Sequence, residues 1–464
     1  MLNYSYYPFK NKIEEIDFND LLILREVSEG WYIDYKVQGL KITDFAKHLS
    51  AFANQYGGWL IIGISEAPDG SRTASEFLGI PNEQLEKLSR DIREASAAHV
   101  NPEVLYEEKV IKGPLEDIGL AEGKSILVIG IPMSHNTPHI HASGRIYRRL
   151  ADQSKPKEET DRYILDELWR RGKNHQDKIK DFLKNIPELP ESQSDNPWVH
   201  IYFKPADGQL APEKSLSFDE FSKIVRNTNN DILGVHAPMQ AINTTANGFI
   251  ARQIENNDPS LASLTIRWWH GGRVRFDIPL NQFDFKGFIA TQERNKYAFD
   301  FCKLAHEVGF KDMKIVDYSM FIQILASLSI SYIHMLNLTS DKRDIYSCYT
   351  LRNVFHTSPY VDSELFMKRI REFSLPLTVD RIISIPSEPT EETMFFHPHK
   401  DLHIEHDSYE RNKAVPFIFS LPLIYQIFES VGIISNIDDL TKDNDIWGFS
   451  KVNNATNTVP NQTN

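Results

Sequence analysis

The stretch that decides the fold of the N-terminal region is EGWYIDYKVQGLKITDFAKHLSAFANQYGGWLIIGISE, residues 29–66. Residues 31–37 read as a strand whose side chains alternate between two faces, and residues 59–65 form a nearly continuous apolar run, as in a strand covered on both sides. Between them, apolar side chains recur at three- and four-residue steps, which indicates an amphipathic helix closed by two glycines. A strand, a helix and a strand in this order predict an α/β layer.

Acidic side chains accompany both predicted strands. Glu29 precedes the first strand and Asp34 lies within it, so the two can converge only if Gly30 forms a turn. Glu66 follows directly after the second strand. If the two strands are neighbours, these three carboxylates meet at one edge of the sheet, with Lys36 beside them.

Such a cluster has a chemical use. Carboxylates that lie together repel one another, and a hard divalent cation such as Mg²⁺ or Mn²⁺ relieves the repulsion and can promote phosphodiester cleavage. Lys36 would then assist by holding a phosphate or neutralising developing charge. The spacing alone fits equally well with acids at solvated strand ends or beside lysine partners, so both interpretations stay open.

Four segments resemble the Schlafen-type, AlbA-like domain, over about residues 10 to 160. They are EGWYIDYK (29–36), HLSAFANQYGGWLIIGISEAPDG (48–70), LGI (78–80) and GKSILVIGIPMSHNTPHIHASGRIYRRLADQSKP (123–156). Members of this family include metal-dependent endoribonucleases that act on transfer and ribosomal RNA through three carboxylates. The resemblance implies that Glu29, Asp34 and Glu66 are the catalytic and metal-binding residues here. Asp34 stands where glutamate is usual, and Glu66 where aspartate is usual.

The segment 139–157 is locally basic, although the whole chain has a net charge of −13. Arg145, Arg148 and Arg149 surround Tyr147, and an aromatic ring beside guanidinium groups can stack on a base while the guanidiniums bind phosphates. The alternative is a solvated strand end whose arginines pair with nearby acids. With the resemblance included, these four residues are the expected nucleic-acid contacts.

Composition changes along the chain predict its organisation. We expect an AlbA-like domain at 10–160, a charged helical linker at 161–195, a mixed α/β domain of unassigned role at 196–450 and a disordered tail at 451–464, which together make an α+β fold class.

Within the domain expected at 196–450, the sequence predicts a hairpin and two buried helices. The segments SLTIRW and RVRFDI are expected to form a hairpin. The most apolar stretches, 320–336 and 417–434, are interrupted by polar residues and are predicted to be buried helices, so we expect a cytoplasmic protein without membrane association.

The leading hypothesis is a metal-dependent endoribonuclease acting on structured RNA such as transfer RNA, using Mg²⁺ or Mn²⁺. A variant of it is an effector in phage defence that the C-terminal part triggers. The alternative is a non-catalytic regulator that binds RNA or DNA and carries a C-terminal sensor domain. Because vertebrate Schlafens build their clamp from two such lobes and one lobe is recognised here, we also expect a homodimer.

Overall fold

The computed structural model of the chain describes residues 2, 4–150, 153–207, 209, 212, 214–226, 229–230, 235–236, 239–310, 313–390, 393–399 and 415–433. The tail predicted at 451–464 lies outside the described residues. Helices and strands are both abundant, which confirms the α+β fold class. The chain divides into two compact units. The N-terminal unit comprises residues 1–182 with 207–210, and the C-terminal unit comprises residues 183–206 with 211–464.

The N-terminal unit combines helices with short strands. Its α-helices are α1 (Phe18–Ile23), α2 (Ile42–Asn54), α3 (Leu85–His99) and α4 (Arg162–Lys184), the last of which ends just past the unit boundary. Its strands are β1 (Ile33–Lys36), β2 (Gly57–Ile62), β3 (Ile80–Pro81), β4 (Val100–Asn101), β5 (Glu107–Lys112), β6 (Lys124–Pro132), β7 (Ile140–His141), β8 (Tyr147–Leu150) and β9 (Gln153–Glu158). Short 3₁₀ turns occur at Ile13–Glu15, Leu24–Glu26, Asn82–Gln84 and Glu116–Ile118.

The central sheet of this unit confirms the predicted α/β layer. Strand β1 pairs with β2 in parallel, with Asp34 opposite Leu60, and β2 pairs antiparallel with β6. Strand β6 also pairs antiparallel with β3 and β5. Helix α2 makes the crossover between the parallel strands and packs its apolar side chains, Phe45 and Phe52 among them, against one face of the sheet.

The two glycines after α2 have a different role from the one predicted. The helix ends at Asn54, and Gly57 and Gly58 open strand β2 instead of closing the helix. Gly58 has a φ of +152°, and a Cβ there would meet the carbonyl oxygen of Tyr32 at 2.4 Å. Glycine is needed at this position because the start of β1 approaches the backbone of β2 so closely.

The C-terminal unit is built from a large antiparallel sheet and a second set of helices. Its α-helices are α5 (Phe218–Arg226), α6 (Phe285–Ile289), α7 (Ala298–Glu307), α8 (Ser319–Thr339), α9 (Glu364–Phe373) and α10 (Val415–Ser430), with a 3₁₀ turn at Glu191–Gln193. Its strands are β10 (Trp198–Pro205), β11 (Asn229–Asn230), β12 (Val235–His236), β13 (Ala241–Thr245), β14 (Gly248–Arg252), β15 (Thr265–Trp269), β16 (Val274–Pro279), β17 (Asn281–Phe283), β18 (Lys314–Asp317), β19 (Ile345–Arg352), β20 (Thr357–Tyr360), β21 (Ile382–Ile385) and β22 (Phe395–His397).

The strand order in the large sheet is β13-β14-β15-β16-β10-β19-β21, with β22 also paired to β19. Strands β15 and β16 form the predicted hairpin, with Ile266 opposite Phe276. Strands β17, β18 and β20 form a separate small sheet. The hydrophobic core lies between the large sheet and the helices, with α8 among its main contributors.

Helix α8 is long and apolar enough to cross a membrane by length and composition alone. Within the C-terminal unit, however, 72% of its most apolar window is buried. That is the environment of a core helix, and it agrees with the buried helix predicted at 320–336.

Helix α4 occupies most of the segment predicted to be a linker, but its residues up to 182 belong to the N-terminal unit. The hydroxyl of Thr137 donates a hydrogen bond of 2.7 Å to the carbonyl of Leu168 in α4. A Cβ at Gly172, one turn further along, would overlap the carbonyl oxygen of Thr137. The helix is therefore docked by close backbone contact, which requires glycine at this position.

We expect Gly172→Ala to destabilise the protein by about 1–3 kcal/mol, because the new methyl group pushes α4 away from Thr137. Helix propensity alone predicts the opposite sign, a gain of about 1 kcal/mol. Urea unfolding of both proteins measures the difference. Lys173→Ala, at the exposed neighbouring position, is the control. A Gly172→Ala protein at least as stable as its parent would show that this contact does not hold the helix.

Candidate nucleic-acid site around Asp34

Asp34 is the centre of a buried charge network that joins three elements. Its side chain is completely buried in β1. The ammonium Nζ of Lys36 lies 2.6 Å from Oδ1, the ring Nδ1 of His48 in α2 lies 2.7 Å from Oδ2, and Nη1 of Arg149 in β8 lies 3.3 Å from Oδ2. Buried carboxylates require such partners, because an unpaired charge in an apolar interior is very costly.

Arg149 also fixes the turn that precedes β1. Its Nη2 donates to the carbonyl of Gly30 at 2.9 Å, and its guanidinium lies over the ring of Phe52 at 5.0 Å. The amide of Gly30 donates to the carbonyl of Ile33 at 3.0 Å, which closes the turn. The predicted turn at Gly30 is therefore present, and it brings Glu29 next to Asp34.

Glu29 is held differently from Asp34. Its Oε1 accepts a hydrogen bond of 2.6 Å from the backbone amide of Tyr35, and Nζ of Lys36 is 3.9 Å away. Its Oε2 is buried and has no hydrogen-bond partner among the described residues. Burial raises the pKa of Glu29 to about 8, and the adjacent Asp34 adds to the effect through its close contact and its negative charge.

The partners of Asp34 act in the opposite direction on its own pKa. Burial opposes ionisation, but the close contact with the ring Nδ1 of His48 and the charges of Arg149 and Lys36 hold the pKa of Asp34 well below its usual range. Burial lowers the pKa of His48, so a neutral imidazole faces the carboxylate at pH 7. The proton shared by the two acids therefore resides on Glu29, and Asp34 carries the charge.

Glu66 does not join this group in the described part of the chain. In the β1–β2 register Lys36 lies opposite Ile62, where β2 ends, and the chain then continues into a hairpin. In this hairpin Glu66 bridges to Ala74 and its side chain is exposed. No set of three or more histidine, cysteine, aspartate or glutamate side chains among the described residues is arranged to hold a metal ion. Two of the three expected ligands lie together. The hairpin that carries Glu66 adjoins them, because the amide of Glu29 donates to the carbonyl of Arg72 at 2.8 Å, but the Glu66 side chain is exposed.

The basic segment is also divided between interior and surface. Tyr147 and Arg149 share one face of β8 as predicted, but this face points inward, so both side chains are buried. The ring of Tyr147 packs edge-on against His141 and is not available to stack on a base. Arg148 pairs with Glu159, and Arg145, 57% exposed, pairs with Glu158 at 2.9 Å. Of the four predicted contacts, Arg145 is the one that faces solvent most fully.

Two features of the site were missed at the sequence level. His48 lies three residues after Phe45 and four before Phe52, on the helix face that packs on the sheet, and this spacing could have identified it as a buried partner. Trp31 and Tyr56 stack with ring centroids 5.2 Å apart and planes at 10°. Parallel pairing of β1 and β2 brings the residues before both strands to the same edge of the sheet, which explains why these two rings meet.

Comparison with known proteins agrees with this fold. Residues 29–158 match the sequence model of the family described as Schlafen, AlbA_2. The protein therefore carries a Schlafen AlbA-like domain at its N-terminus, and this family suggests nucleic-acid binding. No curated protein sequence matches the chain.

Two solved structures show weak similarity. One is the solution structure of the N-terminal domain of a RecG-related protein from Nitrosomonas europaea, named for an ATP-dependent DNA helicase. It shares 20% identity, covering 31% of this chain and 88% of that chain, with a TM-score of 0.22. The other is the crystal structure of the DIP2311 protein from Corynebacterium diphtheriae, with 11% identity over 44% of this chain and 35% of that chain and a TM-score of 0.18. TM-scores this low do not establish a shared fold.

The raised pKa of Glu29 predicts a pH-dependent stability. Between its unfolded pKa near 4.5 and its folded pKa near 8 the folded state binds the extra proton, so stability falls as pH rises through this window. We expect the wild type to lose up to about 1.4 kcal/mol per pH unit relative to Glu29→Gln between pH 5 and 8. Urea unfolding at several pH values measures this, with exposed Glu26→Gln as the control. Parallel profiles for the wild type and Glu29→Gln would contradict the burial of a protonated Glu29.

Two arginines of the basic segment, Arg145 and Arg149, should differ in their effect on stability. Arg149→Met leaves Asp34 with one cation fewer in a buried site, for which we expect a loss of about 3–5 kcal/mol. Arg145→Met removes an exposed ion pair, for which we expect a loss below about 1 kcal/mol. Thermal unfolding compares them. Similar losses for the two variants would mean that Arg149 is not the inner partner of Asp34.

Proposed function

We propose that this protein binds RNA through its Schlafen AlbA-like domain and cleaves it with the help of a divalent metal ion. The observation that carries the proposal is the pair of buried carboxyl groups, Glu29 and Asp34, beside Lys36 in a domain that matches this family. Transfer or ribosomal RNA is the proposed substrate, on the strength of the family resemblance.

The donor set partly fits Mg²⁺ or Mn²⁺. Carboxylate oxygens are the ligands these cations prefer, and the unpartnered Oε2 of Glu29 is a buried atom that a cation or a proton would satisfy. A bound divalent cation would supply charge stabilisation for phosphodiester cleavage. Glu66 completes the set only if its exposed side chain turns toward Glu29, whose amide already donates to Arg72 in the same hairpin. Lys36, which is partly exposed, is placed to neutralise charge on a phosphate.

Neighbouring surface groups support nucleic-acid contact. The stacked pair Trp31 and Tyr56 begins two residues after Glu29, and Tyr56 is 36% exposed. Exposed aromatic rings can stack on unpaired bases. Arg145 adds an exposed guanidinium in the same unit. We therefore propose Trp31, Tyr56 and Arg145 as RNA contacts, with a homodimer supplying the second half of the binding surface.

A specific observation favours a second candidate, a binding protein without catalysis. Lys36, His48 and Arg149 already surround Asp34, so the network is neutralised without any metal ion. In that case the two acids hold the fold together and the domain recognises RNA or DNA without cutting it.

The test is incubation of labelled total RNA with the purified full-length protein and Mg²⁺, Mn²⁺ or EDTA. We expect discrete fragments that require the metal ion and that Glu29→Gln reduces by about 100-fold, because glutamine keeps the shape of the protonated acid but cannot bind a cation as a carboxylate does. Fragment sizes identify the RNA that is cut.

Glu26→Gln, an exposed change close in sequence, is the matched control and should cleave like the wild type. RNA binding is measured on the same samples, with Trp31→Ala as the variant expected to weaken it. Binding without cleavage under every condition would replace the nuclease by the second candidate. Absence of both binding and cleavage, for RNA and DNA alike, would refute both candidates.

A further inference from the structure

A cavity of about 740 Å³ opens in the C-terminal unit. It lies where the first residues of β10, the end of β16 and strands β17 and β18 meet the start of α8. Its volume is within the range of small-molecule sites, roughly 300–1,000 Å³. Nothing in the N-terminal domain or its proposed chemistry accounts for this cavity.

The wall of this cavity is rich in carboxamide side chains. Two of them serve the fold, because Gln193 bonds both the amide and the carbonyl of Ala262 and Gln240 accepts from the amide of Ile254. Four others line the cavity without a side-chain hydrogen bond to any described residue: Asn196, Gln253, Asn281 and Gln282. Each carboxamide offers a donor and an acceptor side by side.

Two buried polar residues also line the cavity. Trp198 is 1% exposed, and its indole N–H has no hydrogen-bond partner among the described residues. Asp317 is 4% exposed and accepts 2.9 Å hydrogen bonds from the side chain of Asn295 and the amide of Ser319. Buried polar atoms are nearly always paired in folded proteins, so an unpaired indole N–H at a cavity points to a missing partner.

The charges of the wall exclude an anionic ligand. Lys314 is its cationic side chain, and it is offset by Glu255 and Asp317. Burial raises the pKa of Asp317, so this group gains from a ligand that donates a hydrogen bond to it. A phosphate or carboxylate would meet no excess of positive charge here.

The apolar part of the wall indicates the shape of the ligand. Met320 and Ile324 contribute aliphatic surface, whereas Leu264 and the rings of Trp198 and Phe321 are almost fully buried. Aliphatic surfaces with carboxamides around them suit a flat heterocycle whose faces are apolar and whose edges carry donors and acceptors.

We propose that this cavity binds a nucleobase, as the free base or its nucleoside, without a phosphate. Asparagine and glutamine carboxamides pair with base edges through two adjacent hydrogen bonds, and an exocyclic amino group can donate to Asp317. The C-terminal unit is then a sensor of nucleosides. This proposal stands on the cavity alone and does not depend on RNA cleavage by the N-terminal domain.

The test is calorimetric titration of the full-length protein with adenosine, guanosine, cytidine and uridine. Their monophosphates and maltose serve as comparison ligands. We expect saturable binding of at least one nucleoside. The double variant Gln253→Leu/Gln282→Leu, which keeps side-chain volume, should weaken that binding about tenfold or more, because two hydrogen bonds are lost.

Gln292→Leu, an exposed change in the same unit and outside the cavity wall, is the matched control and should bind like the wild type. Circular dichroism verifies that the double variant is folded. Absence of nucleoside binding by the wild type, or equal affinity in the wild type and the folded double variant, would overturn the proposal. Preference for the monophosphate or for maltose would overturn the assignment of an uncharged base.

Discussion

The N-terminal unit depends on one constraint, the burial of an ionised carboxylate at Asp34. A carboxylate that is buried away from water must be surrounded by hydrogen-bond donors and positive charges. Here these partners come from three elements, β1, α2 and β8. Each of these elements is thereby fixed relative to the others more strictly than apolar packing alone would require. The same requirement decides the state of Glu29, because the cations that keep Asp34 ionised leave the neighbouring acid to retain the proton.

The sequence predicted the parts of this arrangement that depend on local pattern. The alternation in residues 31–37, the helical spacing between Phe45 and Phe52, and the apolar run of β2 are properties of neighbouring residues, and each element formed where expected within a few residues. Two differences from the expectation share one cause. Whether the Tyr147 and Arg149 face of β8 points inward, and which way the Glu66 side chain points from a hairpin that adjoins Glu29, depend on contacts between distant segments that periodicity does not encode.

In the C-terminal unit, too, local sequence patterns predicted individual elements but not how distant segments meet. Helix α8 is apolar on nearly every side because it is enclosed. Tyr332 stacks on Phe203 of the large sheet with centroids 5.2 Å apart, and Tyr318, the residue just before the helix, meets Phe428 of α10 edge-on. The apolar composition of residues 320–336 predicted that this helix is buried. The short connection between β15 and β16 predicted that these two strands form a hairpin. The cavity could not be predicted, because its carboxamides come from segments scattered between residues 193 and 282 and meet only when β10 pairs with β16.

The bond from Arg149 to the carbonyl of Ile33 spans 116 residues of chain. During synthesis β1 and α2 leave the ribosome long before β8, so Asp34 can meet Lys36 and His48 early while Arg149 has yet to be made. Until β8 arrives the carboxylate has to remain partly hydrated, and the sheet edge around it stays open. The order of translation therefore makes closure of this domain a late event, and a nascent chain that stops before Arg149 should remain exposed to chaperones and proteases.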